Sequence, residues 1–176
     1  MGFLAQFDGF DASSLDLLQR ILIVTDGTLT DTLEAAFLEP IGLRKIELNI
    51  LTAPEPVEEL DLPAGAQLLQ RKILLYGENT RRTYVYAESQ LALDRLPPRF
   101  REELMHSDTP MGRLWSEHKM ETWKELLTVA RHPMEKLAPY LGTVSAYCLM
   151  RRYRLISGGR PLMIIEEHFP ARYGLG

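Results

Sequence analysis

The sequence predicts an α+β fold built on an antiparallel sheet. Helical apolar spacing is confined to the early and central parts of the chain, alternating segments flank two hairpin turn signals, and no regular strand-helix-strand alternation calls for a parallel sheet. Ser13 or Ser14 can cap a first helix, in which Leu15, Leu17, Leu18, Ile21 and Leu22 recur at helical spacing up to Thr25-Asp26-Gly27. A second short helix, Asp31 to Leu38, follows Thr28-Leu29-Thr30 and stops before Pro40. From Ile41 to Leu51, Ile46, Leu48 and Ile50 alternate with polar residues as in a strand, and the proline-rich stretch Ala53 to Pro63 reads as a loop.

Leu68 to Tyr76 and Thr83 to Leu91 flank Gly77-Glu78-Asn79-Thr80, which predicts an antiparallel hairpin. Pro97-Pro98 opens a short helix through Met105, and Thr109-Pro110-Met111-Gly112 makes a turn ahead of Arg113-Leu114-Trp115. Met120 to Ala130 fits a helix by propensity and equally a strand with Trp123, Glu125, Leu127 and Val129 on one face. Val144 to Ile156 and Arg160 to Phe169 flank Ser157-Gly158-Gly159, a second hairpin signal.

With 176 residues, 45% hydrophobic and 25% charged, the expectation is one domain over 1–176 that buries a core of its own, and a monomer. No apolar run approaches the length of a membrane span, and no basic-then-apolar leader opens the chain. The single cysteine, Cys148, cannot close an intramolecular disulfide, which suits a reducing cytoplasm. His106, His118, His132 and His168 are scattered without zinc-ligand spacing, so no metal site is expected. A net charge of −4 argues against general nucleic-acid binding. Arg151, Arg152, Arg154 and Arg160 cluster, but in a strand Arg151 points away from Arg152 and Arg154, so the group reads as a charged, solvated strand edge. No dinucleotide fingerprint, phosphate loop or internal repeat is present, which disfavours ATP and NAD chemistry.

Two positions point to chemistry. In the strand Leu68 to Tyr76, Arg71 shares a face with Leu69, Ile73 and Leu75. A guanidinium facing a core needs an anion, either a ligand carboxylate or an internal Asp or Glu. In the last strand Glu166 shares a face with Leu162, Ile164 and His168, and Glu167 with Met163, Ile165 and Phe169. One of the two must face the covered side, as an acid-base group with a raised pKa or as a salt-bridge partner.

Several blocks together resemble the chorismate pyruvate-lyase-like families. They are Leu18-Gln19-Arg20-Ile21-Leu22, Thr25-Asp26-Gly27-Thr28-Leu29-Thr30, Leu33-Glu34-Ala35, Glu39-Pro40-Ile41, Arg71-Lys72-Ile73-Leu74-Leu75, Thr109-Pro110-Met111-Gly112-Arg113, and Gly159-Arg160-Pro161-Leu162 running to Glu166 and Phe169-Pro170. The resemblance implies a single antiparallel sheet with helices covering one side, a ligand site beneath helical flaps, and neither metal nor organic cofactor. It further implies that Arg71 holds the ring carboxylate of chorismate or 4-hydroxybenzoate and that Glu166 meets the ring hydroxyl. Backbone at Leu29 and Met111, beside Gly112, completes the contacts. The chain departs from the ubiquinone-pathway enzymes at Tyr86-Ala87-Glu88-Ser89, where those carry an arginine near Ser89, and in an added segment from Arg131 to Gly142. Arg113, Arg154, Arg160 and Lys119 are therefore the candidates for the second substrate carboxylate.

The implied activity is conversion of chorismate to 4-hydroxybenzoate and pyruvate, supplying an aromatic head group for quinones. The alternative is a ligand-sensing or product-storing module of the same fold. A regulator of that kind carries a winged-helix domain ahead of the sensor, and the lyase-like blocks begin within about twenty residues of Met1, which favours the enzyme.

Overall fold

The computed structural model describes residues 11–142 and 145–173. After a 3₁₀ turn at Ala12–Ser14 come α1 (Leu17–Val24), α2 (Leu29–Phe37), β1 (Ile41–Thr52), β2 (Gln67–Gly77), β3 (Thr83–Ala92), α3 (Pro98–His106) and α4 (Met111–Glu117). β4 (Trp123–Pro133), α5 (Ala138–Leu141), β5 (Tyr147–Ser157) and β6 (Arg160–Phe169) follow. The six strands form one antiparallel sheet in the order β1-β2-β3-β6-β5-β4, as the α+β reading requires.

Local chemistry explains where the elements depart from the sequence pattern. α1 is capped by Asp16, not by a serine: its carboxylate accepts the Gln19 N–H at 2.8 Å, and the Gln19 side chain accepts the Asp16 N–H. The two serines sit in the preceding 3₁₀ turn, capped by Asp11. α2 starts two residues earlier than Asp31, at Leu29, and ends at Leu38 in the left-handed region. Met111 and Gly112 form the first turn of α4 and not a free turn. Met120 to Ala130 resolves as strand β4 from Trp123 onward. The expected start of the next strand, Val144, lies outside the described residues, and β5 runs from Tyr147.

Two β-bulges set which side chains face the core. In β1 the pairing skips Ile46, so Lys45 and Leu48 both project toward the Arg71 face. In β4 it skips Leu127, so Lys124, Leu126 and Val129 lie opposite Leu155, Tyr153 and Arg151. The face shared by Trp123, Glu125, Leu127 and Val129 in a regular strand therefore does not exist.

α1 and α2 pack Leu18, Leu22, Ile23 and Leu33 onto one end of this face, against Ile73, Leu75, Val85 and Phe169. α3 and α4 pack Phe100, Leu104 and Leu114 onto the other end, against Leu69, Leu91, Tyr153 and Met163. Full burial of each such side chain contributes about 1.5–3 kcal/mol. The opposite face carries two smaller clusters, one under α5 with Met134 and Leu137, the other under the 3₁₀ turn at Glu58–Leu60. Between the two helical pairs the first face is left open.

Glu39 fastens the α2 end of the fold. Its carboxylate accepts from the Asn79 and Thr80 N–H groups at 2.9 and 3.0 Å, from the Thr80 hydroxyl and from Tyr84. Gly77 is required beneath it, since a Cβ there would stand 2.1 Å from the Glu39 Oε1.

Candidate active site

The gap between the helical pairs is a cavity of about 320 Å³, within the range of small-molecule sites. Its floor is two cross-strand rows. Arg71 (β2) pairs with Ser89 (β3), which pairs with Ile165 (β6), which pairs with Tyr153 (β5). In the neighbouring row, Ile73 pairs with Ala87, Ala87 with Glu167 and Glu167 with Arg151. Its walls are the segment from Asp26 to Thr30 on one side and Pro110 to Gly112 with Trp115 on the other. A Cβ on Gly112 would lie 2.6 Å from Thr28 Cγ2, so the two walls meet at this glycine. Leu29 and Met111 are the first residues of α2 and α4, and neither helix has a side-chain N-cap bond. Their first-turn N–H groups are therefore not claimed by a capping side chain.

Arg71 is 2% exposed, and its Nε and Nη2 have no hydrogen-bond partner. Burial pushes its pKa down to about 10, with Asp108 opposing the shift, so it remains a cation at neutral pH. A buried, charged and half-unsatisfied guanidinium is costly unless an anion completes it. Among the described residues no Asp or Glu does so.

Glu167, 5% exposed, faces the same cavity and is held rigidly: Arg151 Nε donates to Oε2, and the Tyr153 hydroxyl donates to Oε1 at 2.9 Å. Arg151 in turn donates to the Leu22, Ile23 and Thr25 carbonyls at the end of α1. Lys124 reaches the cavity from β4, donating to the Thr25 carbonyl at 2.8 Å with its ammonium 4.6 Å from the Tyr153 ring centroid. Burial lowers its pKa, and the nearby Arg151 charge adds to this.

Glu166 is not in this cavity. Alternation along β6 sends it to the opposite face, where Oε1 accepts from His168 Nε2 at 2.8 Å and Oε2 lies 3.8 Å from Arg152 Nε. The carboxylate beside Arg71's site is Glu167, which corrects the expectation for Glu166. Arg151 is likewise a correction, since it is buried in the floor and not part of a solvated edge. None of the four candidates for a second cation lines the cavity. Arg113 pairs with Glu34 at 2.7 Å, Arg154 pairs with Glu125, and Arg160 and Lys119 are exposed. Arg71, Leu29, Met111 and Gly112 do line it.

A larger hollow of about 480 Å³ opens near Arg82, Tyr140, Tyr147 and Arg172, but no buried ionisable side chain among the described residues lines it.

Residues 23–173 match the model of the family described as chorismate pyruvate-lyase Rv2949c-like. The chain belongs to this family. Among relatives, the protein named chorismate pyruvate-lyase from Mycobacterium tuberculosis (strain H37Rv) is 32% identical over 155 residues, covering 85% of this chain and 78% of that protein. The protein of the same name from Mycobacterium leprae is 34% identical over 157 residues, covering 88% and 75%. The effector domain of PhnF from Mycobacterium smegmatis shares the fold, with a TM-score of 0.63 at 16% identity over 84% of this chain and 90% of that one. In this Rv2949c-like chain, the cavity over Arg71 and Glu167 is the candidate site.

Proposed function

We propose that this protein converts chorismate to 4-hydroxybenzoate and pyruvate in the cavity above Arg71 and Glu167. The observation that carries this reading is the Arg71 guanidinium, buried, charged and with two N–H-bearing nitrogens unpartnered. A planar carboxylate is the ligand group that satisfies such a fork in bidentate fashion.

Chorismate carries a ring carboxylate para to a hydroxyl, with an enolpyruvyl ether on the carbon next to that hydroxyl. The hydroxyl-bearing carbon loses its hydrogen, the ring C–O bond breaks with its electrons going to the departing enolpyruvate oxygen, and the enolpyruvyl methylene gains a hydrogen, so that pyruvate and an aromatic phenol result. Aromatisation supplies the driving force, so the protein's task is placement. Arg71 and Glu167 are separated by β3, two strand spacings of about 4.8 Å each, and by a two-residue step of about 6.8 Å along the strands. After their side chains reach inward, a para-substituted six-membered ring fits between them. Arg71 takes the ring carboxylate, and Glu167, held in place by Arg151 and Tyr153, meets the ring hydroxyl. Lys124 is the cation placed to meet the enolpyruvyl carboxylate, with backbone at Leu29 and Met111 closing the site.

Incubation of the purified protein with chorismate tests the reading directly. Equal amounts of 4-hydroxybenzoate, followed by absorbance, and pyruvate, followed with a coupled dehydrogenase, are expected. Binding of 4-hydroxybenzoate without any turnover would instead favour a sensing or storage module, a role compatible with the fold shared with the PhnF effector domain.

A further inference from the structure

On the sheet face opposite the cavity, His132 of β4, Cys148 of β5 and His168 of β6 converge from three adjacent strands. One donor atom from each lies within 4.8 Å of the others. We propose that this trio binds one zinc ion, with solvent in the fourth position.

The geometry of two of the donors is already that of a site. Cys148 Sγ and His168 Nδ1 are 3.6 Å apart, and tetrahedral zinc with Zn–S of about 2.3 Å and Zn–N of about 2.0–2.1 Å places its ligand atoms roughly 3.5 Å apart. Both are almost fully buried, so packing holds them there. His132 is half-buried, and its donor nitrogen lies within 4.8 Å of the other two donor atoms.

Hydrogen bonds select the nitrogens. The His168 Nε2–H donates to Glu166 at 2.8 Å, which leaves the Nδ1 lone pair toward the sulfur. The His132 Nδ1–H donates to the Pro133 carbonyl at 2.9 Å, which leaves Nε2 for the metal. A ligating histidine whose other nitrogen is tied to a carboxylate or carbonyl is the usual outer-sphere arrangement of zinc sites. In the metal-free protein the Cys148 S–H faces His168 Nδ1. Zinc takes the place of that proton, which passes to solvent, and the thiolate and two neutral imidazoles make a donor set that favours zinc over magnesium or calcium. Tyr86, Met134 and Leu137 pack around Cys148 and exclude water from the sulfur side.

The ion would pin β4 to β5 and β6. It would also fix the backbone of His168, whose neighbour Glu167 faces the cavity on the other side of the sheet.

Metal-free protein, kept reduced, is titrated with Co²⁺ and then with Zn²⁺. One equivalent of Co²⁺ should produce tetrahedral visible bands with a thiolate-to-cobalt charge-transfer band, Zn²⁺ should displace it, and the melting temperature should rise. Cys148→Ser should abolish the charge-transfer band. His132→Gln, at the less buried position, should keep the fold and weaken zinc affinity by about tenfold or more, and Glu166→Gln should weaken it by roughly tenfold through the loss of the His168 partner. Absence of a thiolate band, or equal zinc affinity in the wild type and the His132→Gln protein, would overturn the proposal.

Discussion

Arg151 and Glu167 form a buried ion pair in the floor of the cavity, directly opposite each other on β5 and β6, with the Tyr153 hydroxyl as a third member. A paired charge of this kind is tolerable only while both partners are present. One glutamate thus has its orientation fixed from beneath, and its upper edge is presented to whatever enters above.

Replacing that carboxylate should separate the two adjacent glutamates. Glu167→Gln is expected to slow turnover of chorismate roughly a hundredfold or more, and Glu166→Gln, on the other face, to leave it near normal. Circular dichroism should confirm folding of both. Comparable rates in the two variants would remove Glu167 from the reaction.

Arg71 offers a test in which function and stability move in opposite directions. Arg71→Met should lose about a hundredfold or more in kcat/KM and in affinity for 4-hydroxybenzoate, and Arg71→Lys should rescue little. The ligand-free Arg71→Met protein should nevertheless melt at or above the wild-type temperature, because an incompletely satisfied buried cation has been exchanged for an apolar side chain of similar reach. A large loss of thermal stability would show that Arg71 is structurally paired.

Lys124 should distinguish the proposed substrate from the proposed product. Chorismate has two carboxylates and 4-hydroxybenzoate one, so Lys124→Met should raise KM for chorismate by about tenfold while changing the dissociation constant of the product little. Equal weakening of both ligands would place Lys124 at the ring carboxylate instead.

Acid should unfold the protein partly through Glu39. The Tyr84 hydroxyl, with the Thr80 and Asn79 donors, holds this carboxyl down at about 2 against an ordinary 4.5. A depressed folded value means the stabilisation is fully present above about pH 4.5 and fades as pH falls toward 2. Glu39→Gln should lower stability at pH 7 and flatten its decline between those limits, as read from denaturant midpoints at several pH values. An unchanged slope would assign the acid sensitivity elsewhere.

The two walls of the cavity touch where Gly112 meets Thr28, which predicts that they move together. 4-Hydroxybenzoate should increase hydrogen-exchange protection at 26–30 and 110–112 in parallel. Gly112→Val should weaken product binding and raise turnover where release limits it, since a side chain there forces the closed walls apart. Unchanged protection at both segments alongside confirmed binding would mean a preformed site.

Sheet and hairpins were readable because turn chemistry and alternation agree from Leu68 to Leu91 and again around Ser157-Gly158-Gly159. Arg71 was readable for the same reason, as a lone cation on an apolar face. Arg151 carries the same signal, alternating with Leu149, Tyr153 and Leu155, but its neighbours Arg152 and Arg154 mask it as part of a charged run. Lys124 was not accessible to pattern reasoning, because the bulge at Leu127 breaks the alternation on which a face is assigned. Nor was the meeting of His132, Cys148 and His168, which depends on three strands whose order in the sheet is set only by tertiary pairing.

The Arg151 guanidinium that orients Glu167 also binds carbonyls at the end of α1. The end of that helix and the Glu167 carboxylate are consequently tied to one side chain. α1 keeps Leu17, Ile21 and Val24 on its outer side, exposed to solvent, so whatever loosens it from the sheet also loosens the support of Glu167.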